Sequence, residues 1–419
     1  MADIISGKSR FNGDKNAPVK KIITINNEAE TAATEEYEED IQLRLRRHRK
    51  RVIIGAVLII AAVTVVIYIF SKIMDNYSYS SYSISNSVDR DDTENTQYES
   101  YGDGYIRYSA DGIAYFTSKG KAMWNQTFSM QKPQIKIRGN DVAIGDISGN
   151  KIYTFDKNGV IGSIDTSMTI LQIEIASNGI VAAVLEDNDA NYINMYDKDG
   201  SKIYSVKTTL AGDGYPLDIS ISEDATKLIA SYVYVSGESI KTNVVFYNFS
   251  DVGQNETERV VGGFNHYADT LVGDVEFVNN NMAVAVGENV VSIYKIKEYP
   301  SLEKEIKVDN EIEKVFFSDQ YIGLVVDNAD SGEPYQLEVY NLSGNKMCEV
   351  AYSTQYTDVK FDGKSIVMNN SASMLLINLK GKKLATIDFD MPATSLITTG
   401  RRGDYVLVTS KYIQAIKLK

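Results

Sequence analysis

Two oxygen-rich runs stand out as sites where a cation could bind. Glu186-Asp187-Asn188-Asp189 follows the apolar pair Val184-Leu185, and Asp327-Asn328-Ala329-Asp330 follows Val325-Val326. Calcium takes about 6–8 oxygen ligands, which makes Asp187, Asp189, Asp327 and Asp330 the Ca²⁺ candidates. Neither run has EF-hand spacing, and Asp or Asn at a hairpin tip is already explained by turn chemistry. No metal site is therefore assigned. His266, in Gly263-Phe264-Asn265-His266-Tyr267, has Asp269 close enough in sequence to orient it as a general base. No nucleophile accompanies it, so an ordinary loop histidine is the simpler reading.

Other catalytic signatures are missing from the sequence. It contains no HExxH metal motif, no G-x-S-x-G elbow, no phosphate-binding P-loop and no dinucleotide fingerprint. The single cysteine, Cys348, cannot form an internal disulfide, and two histidines cannot build a His-rich metal site. A quinone enzyme would need stacking surfaces, yet Trp124 is the only tryptophan and reads better as a packing residue. The expectation is a protein that is not an enzyme, with no catalytic residue and no cofactor.

What remains is binding chemistry. Tyrosine offers apolar area with a polar tip at low entropic cost, and Tyr215, Tyr267, Tyr299, Tyr335 and Tyr356 fall in loops or at loop edges. They are the candidates for contact with a protein or a glycan, although tyrosine also suits strand positions. Arg401-Arg402, in a turn bounded by Gly400 and Gly403, is a candidate anchor for an acidic partner.

These residues need elements to hold them. Val52 to Phe70 is a 19-residue stretch without a charge, close to the ~20 apolar residues that cross a bilayer as a helix. Arg44, Arg46, Arg47, Arg49, Lys50 and Arg51 precede it. By the positive-inside rule they keep the N-terminus in the cytoplasm and send the rest across the membrane. With 51 residues before the span and no small-x-small site after it, an uncleaved signal anchor is expected rather than a cleaved signal peptide.

The expected organisation is a largely disordered cytoplasmic tail over 1–51, a transmembrane helix over 52–71, a polar extracytoplasmic linker over 72–103, and a folded domain over 104–419. Within the tail, Lys20 to Ile25 is a candidate docking strand and Glu35 to Asp40 an acidic run. Residues 1–51 carry 11 Lys/Arg against 9 Asp/Glu, which leaves a net −15 on the remainder of a chain whose total is −13. So acidic a bulk excludes general nucleic-acid binding, which needs clustered Lys and Arg.

From Gly104 onward, short alternating runs such as Ile152-Tyr153-Thr154-Phe155 are separated by Gly, Asn, Asp and Ser. This is the pattern of an all-β fold. A strand end followed by a turn and glycine recurs in Phe116–Gly120, Phe155–Gly159, Tyr196–Gly200, Tyr340–Gly344 and Ile377–Gly381. Asp or Asn opens such a turn and Gly takes its positive φ.

Four strands recurring every ~40–45 residues make a propeller blade. Whole blades are expected at about 133–168, 169–215, 216–272, 273–312, 313–356 and 357–393. Residues 394–419 and 104–131 would join into a seventh, shared by both ends. Eight blades result if each terminal piece extends into its own.

DGIAYFTSKGKAMW (Asp111–Trp124) and NKIYTFDKNG (Asn150–Gly159), together with the tail, the single span and the polar linker, resemble a family of single-pass envelope proteins of clostridial-type Gram-positive bacteria. Their ectodomains are similar to PQQ-like and WD40-like propellers. The resemblance implies a fold and a cell-membrane location, N-terminus inside, and no activity. The function expected is a membrane-anchored binding or scaffolding platform for an envelope protein or cell-wall polymer. The alternatives are an extracytoplasmic hydrolase or quinoprotein, and a signal transducer working through the tail.

Overall fold

The computed structural model describes residues 28–188, 190–267, 270–328 and 331–419. The chain divides into two compact units, Met1–Ile73 and Met74–Lys419.

The described part of the first unit is a helix, Glu28–Asp75. Its apolar stretch lies within Asp40–Ile73, has a mean hydropathy of 3.0, and none of it is covered by protein. Such a helix is long and apolar enough for a membrane anchor or a signal sequence. It begins well before residue 52, so residues 28–51 are helical and not the disordered tail expected. Where the helix's acidic run meets its basic run, Arg44 and Asp40, four residues apart, pair at 2.8 Å. The Lys20–Ile25 docking strand lies outside the described residues.

The second unit holds eight antiparallel sheets of four strands. Seven are consecutive: blade I over 97–127, II over 133–165, III over 169–209, IV over 215–264, V over 272–307, VI over 312–352 and VII over 358–388. Blade VIII takes three strands from 393–418, and its fourth is Tyr82–Asp89. Eight apolar clusters, one between each neighbouring pair of blades, close the ring. The cluster between VIII and I, with Tyr105, Ile397, Val406 and Val408, is the last link. The protein is thus an eight-bladed β-propeller.

Two expectations about the ends are corrected here. The linker 72–103 is partly propeller: Tyr82–Asp89 pairs with Tyr412–Leu418, and Gln97–Tyr101 is the inner strand of blade I. The pieces 104–131 and 394–419 therefore belong to two blades. The cause is alternation carried by Tyr82, Ile84 and Val88 among serines, a run too poor in aliphatics to announce itself as a strand. The N-terminal strand thus becomes the outer strand of the closing sheet, beside the C-terminal strand.

The repeat glycines behave as their spacing implies. Gly200 has φ 96° and Gly344 φ 74°. The side chain of Asn341 accepts the N–H groups of Ser343 and Asn345, each at 3.0 Å. Cross-strand packing within blade VI sets another glycine: Gly323 pairs with Phe316, and a Cβ on it would stand 2.1 Å from the Phe316 ring.

Strand order fixes two faces. In every blade the first strand is innermost and all first strands run the same way. The links between blades and the second-to-third strand turns therefore share one face, called upper here. The first-to-second and third-to-fourth strand turns share the other, lower face.

Candidate functional site

The first strands of blades III, IV, V, VI and VIII each carry a bulge near their upper end, immediately before Gln172, Asp218, Asp274, Lys314 and Ser395. A bulge re-aims the side chain that follows it. Polar groups of otherwise apolar strands are thereby turned onto the ring's inner wall, where they tie neighbouring blades together.

Asp218 accepts the Val275 N–H at 2.8 Å and also bonds the Gln172 amide. Ser220 accepts the Phe277 N–H at 2.9 Å. Lys136 of blade II pairs with Glu174 of blade III. Arg138, also of blade II, reaches Glu276 of blade V at 2.9 Å, three blades away, so this pair crosses the central space. On the other side, Lys314 donates to the Tyr356 carbonyl at 3.2 Å, and Lys360 to Asp358 at 2.6 Å and to the Leu396 carbonyl at 2.7 Å.

Around Lys136 and Arg138 stand four acids, Glu174, Asp218, Asp274 and Glu276. The excess of acid shows in their protonation. Burial, with the carboxylates of Asp218 and Glu276 adding to it, pushes Asp274 up to about 7. Burial likewise pushes Glu174 up to about 7, against the pull of Lys136. Burial opposes the charge on Lys136, but Glu174, Asp218 and Glu276 outweigh it and hold the ammonium protonated above its ordinary value. Carboxyls that titrate near neutrality can exchange protons at physiological pH. None of these channel residues is among the sequence candidates. The available signal was a charged residue recurring in the first strand of successive repeats.

The sequence candidates scatter. Asp187 is exposed and caps its own turn, accepting the Asn188 N–H at 2.8 Å. Asp327 lies three blades away, and Asp189 and Asp330 lie outside the described residues. Among the described residues no group of three His, Cys, Asp or Glu is arranged to hold a metal ion. His266 stacks on Tyr267 and sits 3.3 Å from Glu305; Asp269 lies outside the described residues.

Tyr215 and Tyr335 reach the upper face, the first 37% exposed and the second half-buried against Tyr352. Tyr299 is exposed on the lower face and donates to Glu256 at 2.9 Å. Arg401 and Arg402 are also on the lower face, Arg401 lying 3.7 Å from Asp103.

Tyr267 and Tyr356 are corrections, being only 3% and 7% exposed. Each belongs to a link that tucks its ring into the apolar cluster between two blades, Tyr267 bonding the Tyr294 hydroxyl and Tyr356 packing on Tyr352. Trp124 does pack, stacking on Phe155 of the next blade at 5.1 Å.

Four of the cavities among the described residues open on the upper face. One of about 700 Å³ is lined by Ser148, Asn150, Thr169, Glu186, Asp187 and Asn188. Two of about 540 and 260 Å³ flank the link 90–96. One of about 530 Å³ lies at the mouth of the channel beside Glu99, Asp358 and Lys360.

Solved propellers share this architecture. BamB from Moraxella catarrhalis is 12% identical with a TM-score of 0.51, over 80% of this chain and 99% of that one. A eukaryotic initiation factor is 11% identical with a TM-score of 0.52, over 82% and 88%. Porphyromonas gingivalis dipeptidyl peptidase 4 is 13% identical with a TM-score of 0.53, over 77% of this chain and 57% of that one. At such identities the likeness is one of fold alone. No curated protein matches the chain in sequence. A family model described as a family of unknown function, DUF5711, matches residues 75–418, and the chain therefore belongs to the DUF5711 family.

Proposed function

We propose that the protein is a single-pass membrane protein of a Gram-positive, clostridial-type envelope whose propeller, outside the cell, is a rigid platform binding an envelope protein or a cell-wall polymer. The observation that carries this reading is the gathering of four cavities on one face, lined by Ser, Thr, Asn, Asp and Glu. A closed ring holds such loops at fixed spacing, so an extended partner can be recognised without catalytic groups. The six cations Arg44 to Arg51 support a cytoplasmic N-terminus.

Photo-crosslinking residues replacing Tyr215 and Asn150 in intact cells test it. Capture of one partner from both positions is expected, and absence of capture from either would overturn the reading.

The channel acids favour a second reading, an extracytoplasmic hydrolase. Glu174 and Asp274, both pushed up to about 7, have the protonation range of a general acid and base. In that case Asp274→Asn would abolish a hydrolytic activity of the purified protein on envelope polymers while leaving partner capture intact.

A further inference from the structure

The chain arrives at the propeller on the lower face. Lys382 Nζ donates to the Asn76 carbonyl at 2.8 Å, and the Tyr79 N–H donates to the Leu384 carbonyl at 2.7 Å. The lower turns around that point are basic: Lys364, Lys380, Lys382 and Lys383 in blade VII and Arg401 and Arg402 in blade VIII, all exposed. Lys119 and Lys121 extend the patch into blade I. Nearby acids are Asp103, Asp362 and Asp404. Among the described residues Lys119, Lys121, Lys364, Lys380 and Lys383 make no ion pair.

Lower turns elsewhere carry exposed lysines too, Lys157, Lys198 and Lys297, but each stands next to an acid in sequence, Asp156, Asp199 and Glu298. Across the ring, the lower turns of blade IV carry Asp224 and Glu258, and the upper face carries Asp91, Glu94, Asp213, Glu238, Glu288 and Glu311, all exposed. In a chain whose net charge is −13, a basic sector confined to the point where the chain arrives is a directional feature.

We propose that this sector of blades VII, VIII and I docks on the anionic phospholipid headgroups of the bilayer that holds the helix, tilting the propeller so that its acidic upper face turns outward. The inference rests on the proposed membrane anchoring. Lysines near an anionic surface are attracted within about one Debye length, ~10 Å at 0.1 M salt. The connection supplies that proximity, since residues 73 to 82 span at most ~32 Å fully extended. Docking removes no apolar surface from water, so it should be reversible and salt-sensitive.

The test uses the full chain in nanodiscs of phosphatidylcholine alone or mixed with phosphatidylglycerol. A spin label is placed at Ser118→Cys in the basic sector, at Glu258→Cys in the lower turn of blade IV, or at Glu288→Cys on the upper face. The native Cys348 is buried and is replaced by Ser. Relaxation by a paramagnetic headgroup lipid reads proximity.

The expected result is strong relaxation at position 118 alone, only in the anionic discs, and lost at high salt. Replacing Lys119, Lys121, Lys364 and Lys380 by Gln should lower the docked-to-free ratio roughly fivefold per cation, with the thermal midpoint unchanged. Equal relaxation at all three sites, or relaxation at 118 that ignores lipid charge, would overturn the inference. So would an absence of headgroup contact combined with charge-dependent binding of soluble polyphosphate, which would assign the patch to an anionic polymer. A chain that fails to enter the discs refutes the anchor itself, and the docking with it.

Discussion

Asp274 gives the sharpest quantitative handle on the channel. Its carboxyl rises from its ordinary value of 3.8 to about 7 because burial and the neighbouring acids Asp218 and Glu276 disfavour its charge, with Lys136 the opposing cation. That rise corresponds to roughly 4 kcal/mol, and screening by water in the channel reduces this to roughly 2 kcal/mol. The folded form keeps a proton that the unfolded chain releases between pH 3.8 and about 7. Stability from this group is therefore greatest below that window, falls as pH rises through it, and is level above it.

Asp274→Asn removes the titration. The variant should match the parent near pH ~4 and exceed it near pH ~8 by roughly 2 kcal/mol, about 3 °C in thermal midpoint for a domain of this size. The assay is thermal unfolding of the detergent-solubilised full chain across that range, followed by β-sheet circular dichroism. Glu174 titrates in the same window, so the slope should shrink and not vanish. Equal destabilisation at both ends of the range would refute the reasoning, because it would mean that Asp274 contributes a structural hydrogen bond and not a buried charge.

Three further outcomes follow from packing. Gly323→Ala should cost roughly 1–3 kcal/mol, read as a lower thermal midpoint, because the new methyl meets the Phe316 ring. Arg90→Ala should cost about 3 kcal/mol by stranding Asp92, which it bonds at 2.5 Å in a buried site that Arg107 only partly compensates; hydrogen exchange should rise first in 82–89 and 412–418, where the ring is sealed. Tyr267→Phe should cost about 1 kcal/mol for the hydroxyl bond to Tyr294, with little effect on partner capture, since the ring is buried between blades.

The blades were legible wherever a glycine turn closed an aliphatic strand, as at Tyr196–Gly200 and Ile377–Gly381, and six expected blades lie over observed ones. The eighth was hidden because Tyr82–Asp89 has few aliphatics and finds its partner, Tyr412–Leu418, more than 300 residues away. Local pattern carries no information about such pairing. The channel was illegible for a related reason. A charged residue within a strand, such as Asp274, reads as a solvated face until ring closure sets Arg138 opposite Glu276. Tyrosine exposure divided by the same rule: Tyr215 and Tyr299 stand clear of the links, whereas Tyr267 and Tyr356 are drawn beneath a neighbouring blade.

The proposal stands or falls on which side of the membrane the propeller occupies. Cysteine introduced at Glu288 or at Lys20 can be probed in intact cells with a membrane-impermeant maleimide, the native Cys348 being buried. The account predicts labelling at 288 in whole cells and at 20 only after the cells are opened. Labelling at 20 with protection at 288 would contradict it.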